Sequence, residues 1–342
     1  MRPHRPNPNR VSASFSLGLV GALALVACSG SGGASSTQRA GQTSTGFAGT
    51  ALVSDRVGVI VRTTTTDANW SNPWALAIAP GLPFWVSDNN SSLVTLYSGA
   101  GAIQTATVSG TAEVGIAISA CGAGVPANPA PEVYNGGEGF LIPTSADQES
   151  VLLIVDGEDG TVAAWANDSH ATAVTAYDDG VANSANHAVY KGLALGTVTA
   201  ATFLYATDLH DNRIDVFDTH FTKPAAMQGK FIDPTMPTEF VPFGIATLSD
   251  QLYVSYAKRD AAMHDETTGA GLGEVDVFDF SGNFVSRFAS ADALNAPWEM
   301  AVAPAGFGSL AADLLIGTFG DGKIDLFAPN GTELTTSMPS PY

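Results

Sequence analysis

The side chains best suited to chemistry in this sequence are oxygen-bearing groups that recur directly after short apolar runs. Carboxylate and amide oxygens are the ligands of hard cations such as Ca²⁺, which takes about six to eight of them. A ring of such groups drawn from separate segments predicts a face that binds Ca²⁺ or another divalent cation. The same residue types also form tight turns, so a turn role without any ion is the alternative. The set comprises Asp88, Asn89, Asp156, Glu158, Asp159, Asp208, His210, Asp211, Asp260 and Asp321.

Glu299 differs from this set because it lies inside a short apolar segment where related segments carry a small residue. The corresponding positions hold Ala75, Gly115, Gly192 and Gly244. A carboxylate in such a place can be a metal ligand or a general acid or base. The alternative is a solvated wall, which would also account for Lys191 at the adjacent position of another segment. A solvated face likewise accounts for Asp215, Asp276 and Asp325, which alternate outward in their predicted strands.

The familiar catalytic motifs are missing from the sequence. The six histidines show neither an HxH nor an HExxH spacing, no Ser lies in a G-x-S-x-G sequence, and no glycine-rich phosphate loop precedes a helix. The motifs therefore do not decide whether the protein is an enzyme, and the catalytic residues stay unknown.

The elements that must position these residues are repeats of a strand followed by a hairpin. The stretch NPWALAIAPGLPFWVSDNNSSLVTLY at Asn72–Tyr97 contains both parts. Aromatic and β-branched runs bounded by Gly, Pro, Asn and Asp indicate strands. The first strand returns at Glu113–Ala117, Tyr190–Ala194, Pro242–Ala246 and Pro297–Ala301. The hairpin returns in copies that end at Trp165, Phe217, Phe278 and Phe327.

Five copies in the same order predict an all-β protein, specifically a β-propeller with five recognisable blades. Repeats of roughly 40–50 residues that each supply about four strands are typical of propeller blades. The long second interval is interpreted as an insertion at Cys121–Glu149. Small residues on the innermost strands allow neighbouring blades to approach, and the apolar residues fill the contacts between blades. Val57–Arg62 is predicted to be a further strand, which either closes a five-bladed ring with the tail or borders an unfinished sixth blade.

The N-terminus predicts export and anchoring. Residues 1–28 combine three arginines, the apolar run Phe15–Ala27 and a final Cys28, as in a secretory signal. Leu25–Cys28 resembles the bacterial lipobox, which implies lipidation of Cys28, and Ser29 implies the outer membrane. An ordinary signal with an incidental cysteine is the alternative. Residues 29–47 are a Gly/Ser/Thr-rich tether, predicted to be disordered, and residues 48–342 form the propeller.

Composition excludes one class of partner. The formal net charge is −19, and removal of the three signal arginines leaves 11 basic against 33 acidic side chains, a charge of −22. Such a chain does not favour nucleic acid. After lipidation only Cys121 would remain, so no disulfide within the chain is expected.

The repeat sequences, among them AVYKGLALG, LYATDLHDNRIDVFD and PFGIATLSDQLYVSYAKRD, resemble an uncharacterised family of exported bacterial NHL-type propellers. The resemblance covers about residues 50–330. It implies a six-bladed plan with the last blade mostly missing here, and a closed five-bladed ring is the alternative. Glu299 departs from the glycine that the family carries. The family supplies a fold and no activity.

Two function classes follow. The first is a lipid-anchored cell-envelope protein, a binding or scaffold propeller that uses one face for a glycan, peptide or protein ligand. The second is a divalent-metal-dependent hydrolase or lactonase of the six-bladed propeller type, which would use Glu299 as a ligand. The first is favoured because no second or third metal ligand can be assigned from the sequence.

Overall fold

A computed structural model describes residues 51–334 except 56–64, 109–110, 121–125, 137–138, 144–147, 167–171, 180–186 and 291–292. In this part the chain is nearly all β-structure, with short 3-10 helices at Asn89–Ser91 and Ala305–Leu310. No helix among the described residues is long and apolar enough to cross a membrane. The predicted signal, Cys28, the tether, Cys121 and the strand Val57–Arg62 lie outside the described residues.

Blade one is an antiparallel sheet of four strands in the order β3-β4-β5-β8. A short parallel pair, β1 with β2, precedes it, and Val53 of that pair packs against Val86 and Tyr97 of the blade. The strands of this region are β1 (Val53–Ser54), β2 (Thr65–Thr66), β3 (Pro73–Ala77), β4 (Phe84–Asp88), β5 (Leu93–Tyr97), β6 (Ala106–Val108), β7 (Thr111–Glu113) and β8 (Gly115–Ile118).

Blade two has the order β9-β12-β13-β14. Its strands and the small hairpin between them are β9 (Pro129–Tyr134), β10 (Leu141–Pro143), β11 (Gln148–Ser150), β12 (Leu153–Gly157), β13 (Thr161–Trp165) and β14 (Thr172–Asp178). The prediction of Glu113–Ala117 as its inner strand is wrong, because Gly115–Ile118 is the outer strand of blade one. The inner strand β9 lies instead in the predicted insertion. The sequence did not predict this strand because it contains two prolines, yet a strand at the sheet edge tolerates residues without a backbone N–H.

Blades three, four and five follow the predicted boundaries. Blade three is β15-β16-β17, blade four is β18-β19-β21-β22, and blade five is β23-β24-β25. The prediction of five blades is confirmed. The strands are β15 (Tyr190–Val198), β16 (Ala201–Asp208), β17 (Arg213–Phe217), β18 (Phe240–Leu248), β19 (Gln251–Arg259), β20 (Glu266–Thr267), β21 (Gly273–Phe278), β22 (Phe284–Ala289), β23 (Pro297–Val302), β24 (Leu314–Thr318) and β25 (Lys323–Phe327).

Neighbouring inner strands lie side by side in the order β3, β9, β15, β18, β23. Two glycines allow this approach, because a Cβ on Gly192 would lie 2.8 Å from the Phe243 carbonyl oxygen and one on Gly244 would lie 2.1 Å from that of Trp298. A hydroxyl of the preceding blade adds a hydrogen bond across each of these two junctions. Thr207 donates to the Phe243 carbonyl at 2.7 Å, and Ser255 donates to that of Trp298 at 3.3 Å.

The junction between blades five and one differs from the other four. Apolar clusters that span two blades fill the junctions one–two, two–three, three–four and four–five. Among the described residues, the facing flanks of blades five and one belong to two separate clusters instead. Glu299 and Ile78 are exposed at this junction, whereas Gly192 and Gly244 are buried. The inner ends of blades five and one nevertheless meet through Trp74 and Trp298. The described chain thus has five blades, and its last junction is closed at the centre but less filled at the flanks than the other four.

Candidate functional site

The hairpin turns of all five blades meet on one face of the propeller, as the sequence predicted. Asn89 of the first turn donates to Glu158 of the second at 2.9 Å. Arg259 of blade four donates to the carbonyl of His210 in the third turn. Asn295 links the last two turns, because its side chain accepts from the Gly269 N–H and its carbonyl accepts from the Gly320 N–H.

The centre of this turn face is a buried ammonium group. Lys191, on the inner strand β15, has no exposed surface. Its Nζ forms an ion pair with Glu158 and a second with Asp265 at 3.3 Å, and it lies 4.7 Å from the centre of the Trp74 ring. A charge removed from water is tolerated only when partners of this kind compensate for the loss of hydration. Lys191 is therefore part of the structure and not a solvated channel wall.

Aromatic side chains from the other inner strands surround Lys191. Trp74 and Trp298 meet edge to face with ring centres 5.1 Å apart, and Trp74 also lies 5.4 Å from Phe319. The indole N–H of Trp298 donates to the Lys191 carbonyl at 2.7 Å. Phe243 packs 6.1 Å from Phe319. The aligned positions of blades one, three, four and five thus supply Trp, Lys, Phe and Trp, which close the centre of the ring.

Electrostatics favour the charged form of Lys191. Burial alone would lower its pKa, but the Glu158 carboxylate outweighs burial and raises it. A hydrogen bond from His264, together with the charge of Lys191, lowers the pKa of Asp265 to about 2. That hydrogen bond likewise raises the pKa of His264. The Lys191 ammonium thus lies between the carboxylates of Glu158 and Asp265, and His264 is hydrogen-bonded to Asp265.

Among the described residues, Glu158, His264 and Asp265 form a group that could share a metal ion, with ligand atoms within 4.8 Å of one another. Lys191 already bridges the two carboxylates of this group. A divalent cation would have to displace that ammonium or lie beside it, and like charges at this separation repel. The group therefore fits an internal ion pair better than a metal site.

Asp88 and Asp208 end the second strands of their blades and are fully buried. Asp208 accepts from the N–H of Val189 at 3.2 Å and from that of Asp211 at 3.1 Å, which fixes the turn of its own blade. Asp88 accepts from the Thr95 hydroxyl at 2.5 Å. Burial raises the pKa of Asp88 to about 8 and that of Asp208 to about 6. Asp88 and Asp208 thus make the contacts expected of residues that stabilise tight turns.

Two further carboxylates lie deep in blade two. Asp156 is 1% exposed and neither of its oxygens has a hydrogen-bond partner among the described residues. Burial, followed by the charges of Glu132 and Glu158, raises its pKa well above the usual value. Glu132, which the sequence did not single out, accepts from the Ser87 hydroxyl and from the Ala77 N–H at 3.1 Å. It joins blade two to blade one.

Glu299 lies on the inner strand of blade five, and it is exposed. Burial of its surroundings nevertheless raises its pKa to about 7. Burial raises the pKa of Glu132 well above its usual value, and the charge of Glu299 adds to this shift.

The remaining predicted residues are spread over separate turns. Asp159 accepts from Thr161, and Asp260 accepts from the N–H groups of His264 and Asp265. His210 contacts Asp211, which pairs with Arg213, whereas Asp321 pairs with Lys323. The structure brings only Asn89 and Glu158 of the predicted set to the Lys191 centre. Whether the others bind a ligand stays a prediction.

Three aspartates interpreted from sequence as solvated are buried instead. Asp215, Asp276 and Asp325 hold the same position in β17, β21 and β25, with 1%, 0% and 5% exposure. Outward alternation suggested solvent, but in blades three and four a later segment covers this face. The sequence also missed His264 and Asp265. Lys191 gave the one available signal, a charged residue where the other repeats carry Trp or Phe.

No protein-family model matches the chain. Uncharacterized protein R648 of Acanthamoeba polyphaga mimivirus is 29% identical over 291 residues, which are 82% of this chain and 66% of that protein. Uncharacterized protein L690 of the same virus is 30% identical over 283 residues, 78% of this chain and 68% of that protein. The chain thus spans about two thirds of the length of these curated relatives.

Solved structures with a similar arrangement include virginiamycin B lyase from Staphylococcus aureus, with a TM-score of 0.46 and 13% identity over 80% of this chain and 86% of that one. A chain of the nidogen/laminin complex gives a TM-score of 0.43 and 11% identity over 79% of this chain and 80% of that one. Values this low say nothing about activity.

The blade order and the closed centre define this chain as a β-propeller protein. It belongs to the family that contains uncharacterized protein L690 of Acanthamoeba polyphaga mimivirus. The predicted resemblance is confirmed for the propeller fold. The bacterial and exported character that it implied finds no support in these viral relatives.

Proposed function

We propose that this protein is an exported, lipid-anchored propeller of the NHL type that binds a glycan, peptide or protein through its turn face. The observation that carries the proposal is the Lys191 ammonium, which fills the centre of that face between Glu158 and Asp265. A catalytic divalent ion needs open carboxylates at such a centre. Here both carboxylates already pair with the Lys191 ammonium, which leaves the outer rim of the face, formed by the ends of the hairpin loops, for a ligand.

On the outer rim of the turn face, Met263 is a described side chain suited to contact with a ligand. Met263 is 37% exposed at the tip of the blade-four loop, where its N–H donates to the Asp260 carbonyl at 3.3 Å. The backbone there is left-handed, with φ of 61°. The same loop reaches the centre of the ring through Asp265. A flexible thioether next to acidic and basic groups suits an adaptable protein or glycan contact.

The first experiment separates binding from metal-dependent catalysis. Purified protein is dialysed against Ca²⁺, Mn²⁺ or Zn²⁺, and bound metal and melting temperature are measured. The proposal expects no stoichiometric ion and no shift in melting temperature. An ion retained at one per chain and lost in Glu299→Gln would favour the hydrolase alternative.

The second experiment looks for the ligand directly. Glycan and peptide arrays are probed with the wild type and with Met263→Asn, which keeps the left-handed backbone because Asn tolerates it. Phe284→Asn, on the outer strand of blade four, is the matched control. We expect the Met263 variant to weaken a specific hit at least about 5-fold and the control to leave it unchanged. A hit insensitive to Met263 places the ligand elsewhere.

The anchor is tested separately. Cys28→Ala should release the protein from membranes or stop its processing, since diacylation supplies the chains that a stable anchor needs. A correctly cleaved variant that still sediments with membranes would show that Cys28 is not the anchor. Outer-membrane localisation is proposed from Ser29 and is tested by fractionation of the same cells.

A further inference from the structure

The face of the propeller opposite the turn face carries exposed apolar side chains in blades one and five. The inner strands β3 and β23 begin at the turn face, and at their other ends lie Ile78, which directly follows β3, and Val302, which ends β23. These two side chains are 54% and 44% exposed. Leu82, in the loop between β3 and β4, is 41% exposed, and Ile103, in the loop after β5, is 39% exposed. These four side chains are called the apolar patch below.

The two loops of blade one that carry the patch lie next to each other. Phe84 and Tyr97 pair where β4 begins and β5 ends, so the loop before the first strand and the loop after the second leave the sheet together. Ile103 then pairs back onto Tyr97. The Leu82 N–H donates to the Ala79 carbonyl at 3.2 Å, which turns the first loop back on itself. Leu82 and Ile103 are thus presented at the same end of blade one.

The loops at this end of blades one and five contain no charged residue. They read IAPGLP at 78–83, SGAGAIQT at 98–105 and VAPAGFGSLAA at 302–312. On the same face of blades three and four, the loops contain Asp218, Asp250 and Asp279. The formal net charge of the chain is −19, so an uncharged surface with exposed apolar side chains is a local feature. Such a surface can leave water without the cost of dehydrating a charge.

The N-terminal segment reaches the propeller beside this surface. Leu52, one of the first described residues, lies against Gly101 in the second loop, because a Cβ on Gly101 would lie 2.7 Å from the Cβ of Leu52. The predicted tether at residues 29–47 would span about 25 Å as a random coil. A lipid on Cys28 would therefore hold this end of blade one close to the membrane.

We infer that the apolar patch contacts the lipid bilayer and directs the turn face away from the membrane. The inference rests on the proposed function, because it takes Cys28 as the lipid anchor. Stable attachment to a membrane generally takes a second signal besides one acyl chain, and exposed apolar side chains supply one by burial at the boundary of the acyl region. Anionic headgroups repel an acidic chain. The uncharged loops are therefore the part of this face best suited to approach the bilayer.

The experiment asks which residues touch acyl chains. The full lipidated chain is reconstituted into vesicles of phosphatidylethanolamine and phosphatidylglycerol that contain a phospholipid with a diazirine in its acyl chain. Irradiation attaches this phospholipid to protein groups in contact with it, and mass spectrometry identifies the labelled peptides. We expect label in residues 78–83 and 98–105 and none on the turn face.

Leu82→Asp places a charge in the patch and should lower the label in both loops at least about 5-fold. Met263→Asp, a matched change of an exposed apolar side chain on the turn face, should leave the label unchanged. Urea unfolding checks that both variants keep the wild-type midpoint. Leu82→Ser, which adds no charge, replaces Leu82→Asp if that variant does not fold, and a decrease in label of at least about 2-fold is then expected.

The mass of the peptide that begins at Cys28 reports acylation separately. An acylated chain with unlabelled loops, or with label that Leu82→Asp leaves unchanged, overturns the inference while the anchor stands. A chain without lipid on Cys28 overturns the anchor and the inference with it. Label on the turn face contradicts the orientation. A dimer in detergent that Leu82→Asp dissociates overturns the inference as well, because a second copy of the chain would then cover the patch.

Discussion

Blades four and five have nearly the same third strand but opposite surroundings. Arg287 joins Asp276, Glu274 and Asp233 across blade four, and the inner strand of this blade fits closely against β23 through Gly244. In blade five the Oδ2 of Asp325 has no hydrogen-bond partner among the described residues, and Glu299 on the inner strand is exposed. The two blades therefore share the sequence of the third strand but not the cationic side chains around its aspartate. Neighbouring segments decide whether a buried charge is compensated.

The largest effect is expected from Arg287→Met. Removal of this cation leaves Asp276 and Asp233 buried without their partner, which typically costs about 4 kcal/mol of folding free energy. Urea unfolding measures the loss. Lys323→Met in blade five is the control, and it should leave the unfolding midpoint unchanged because its pair with Asp321 is exposed. Similar losses in both variants would contradict the contrast between the blades.

Gly244→Ala tests the closed junction. The added Cβ would meet the Trp298 carbonyl at 2.1 Å and the Ser255 hydroxyl at 2.7 Å. Such overpacking forces backbone shifts, and we expect a loss of about 2 kcal/mol in urea unfolding. Gly317→Ala is the matched substitution in blade five, where the added Cβ would meet only the Glu299 carbonyl oxygen of the described residues within 4 Å, at 3.6 Å. This substitution should change the free energy of unfolding very little. A loss equal to that of Gly244→Ala would mean that the junction between blades five and one is packed as closely as the junction between blades four and five.

Asp325→Asn should stabilise the protein by about 1 kcal/mol at pH 7, after allowance for screening by solvent. The pKa of Asp325 is raised from 3.8 to about 6 by burial, so the folded state prefers the protonated form. The wild type therefore loses stability relative to the variant as pH rises from about 4 to about 6. Unfolding curves at pH 4, 5, 6 and 7 measure this change. A gain that persists at pH 4 would not come from the charge.

Glu299→Gln should stabilise the protein at pH 7 by less than Asp325→Asn does, because this side chain is exposed and solvent screens the effect of its raised pKa. Its pKa of about 7 is the better observable. The carboxyl carbon signal of Glu299 in NMR spectra, identified by its absence in the variant, should titrate near pH 7. Titration near pH 4 would show that Glu299 is fully hydrated and that burial does not raise its pKa.

The sequence predicts hairpins well because alternation and turn residues act locally. The hairpins ending at Phe217, Phe278 and Phe327 all have the predicted position. The inner strand β9 was missed because its prolines are unfavourable in a paired strand but harmless on the edge that faces the axis. The alternation of side chains led to the wrong prediction that Asp276 is exposed, because the arginine that covers it, Arg287, belongs to the next strand. Local patterns show which way a side chain points but not what lies there.

The candidate site was predictable only in part, for a similar reason. The turn carboxylates could be recognised as a set, and the structure does gather their turns on one face. The contact between Lys191 and Asp265 joins residues 74 positions apart, so no local pattern reports it. The residue type at position 191 was still informative, because a lysine among Trp and Phe at equivalent positions requires nearby carboxylates.

The parallel pairing of β8 with β14 joins the outer strands of blades one and two into one eight-stranded sheet. It connects Ala117 to Thr172, so the edge of neither blade can fray without breaking bonds to the other. Propeller blades otherwise contact their neighbours mainly through side chains and can open one at a time. We expect amides of β5 and β13 to exchange with solvent through a common opening, so that these two blades behave as a single cooperative unit of local unfolding.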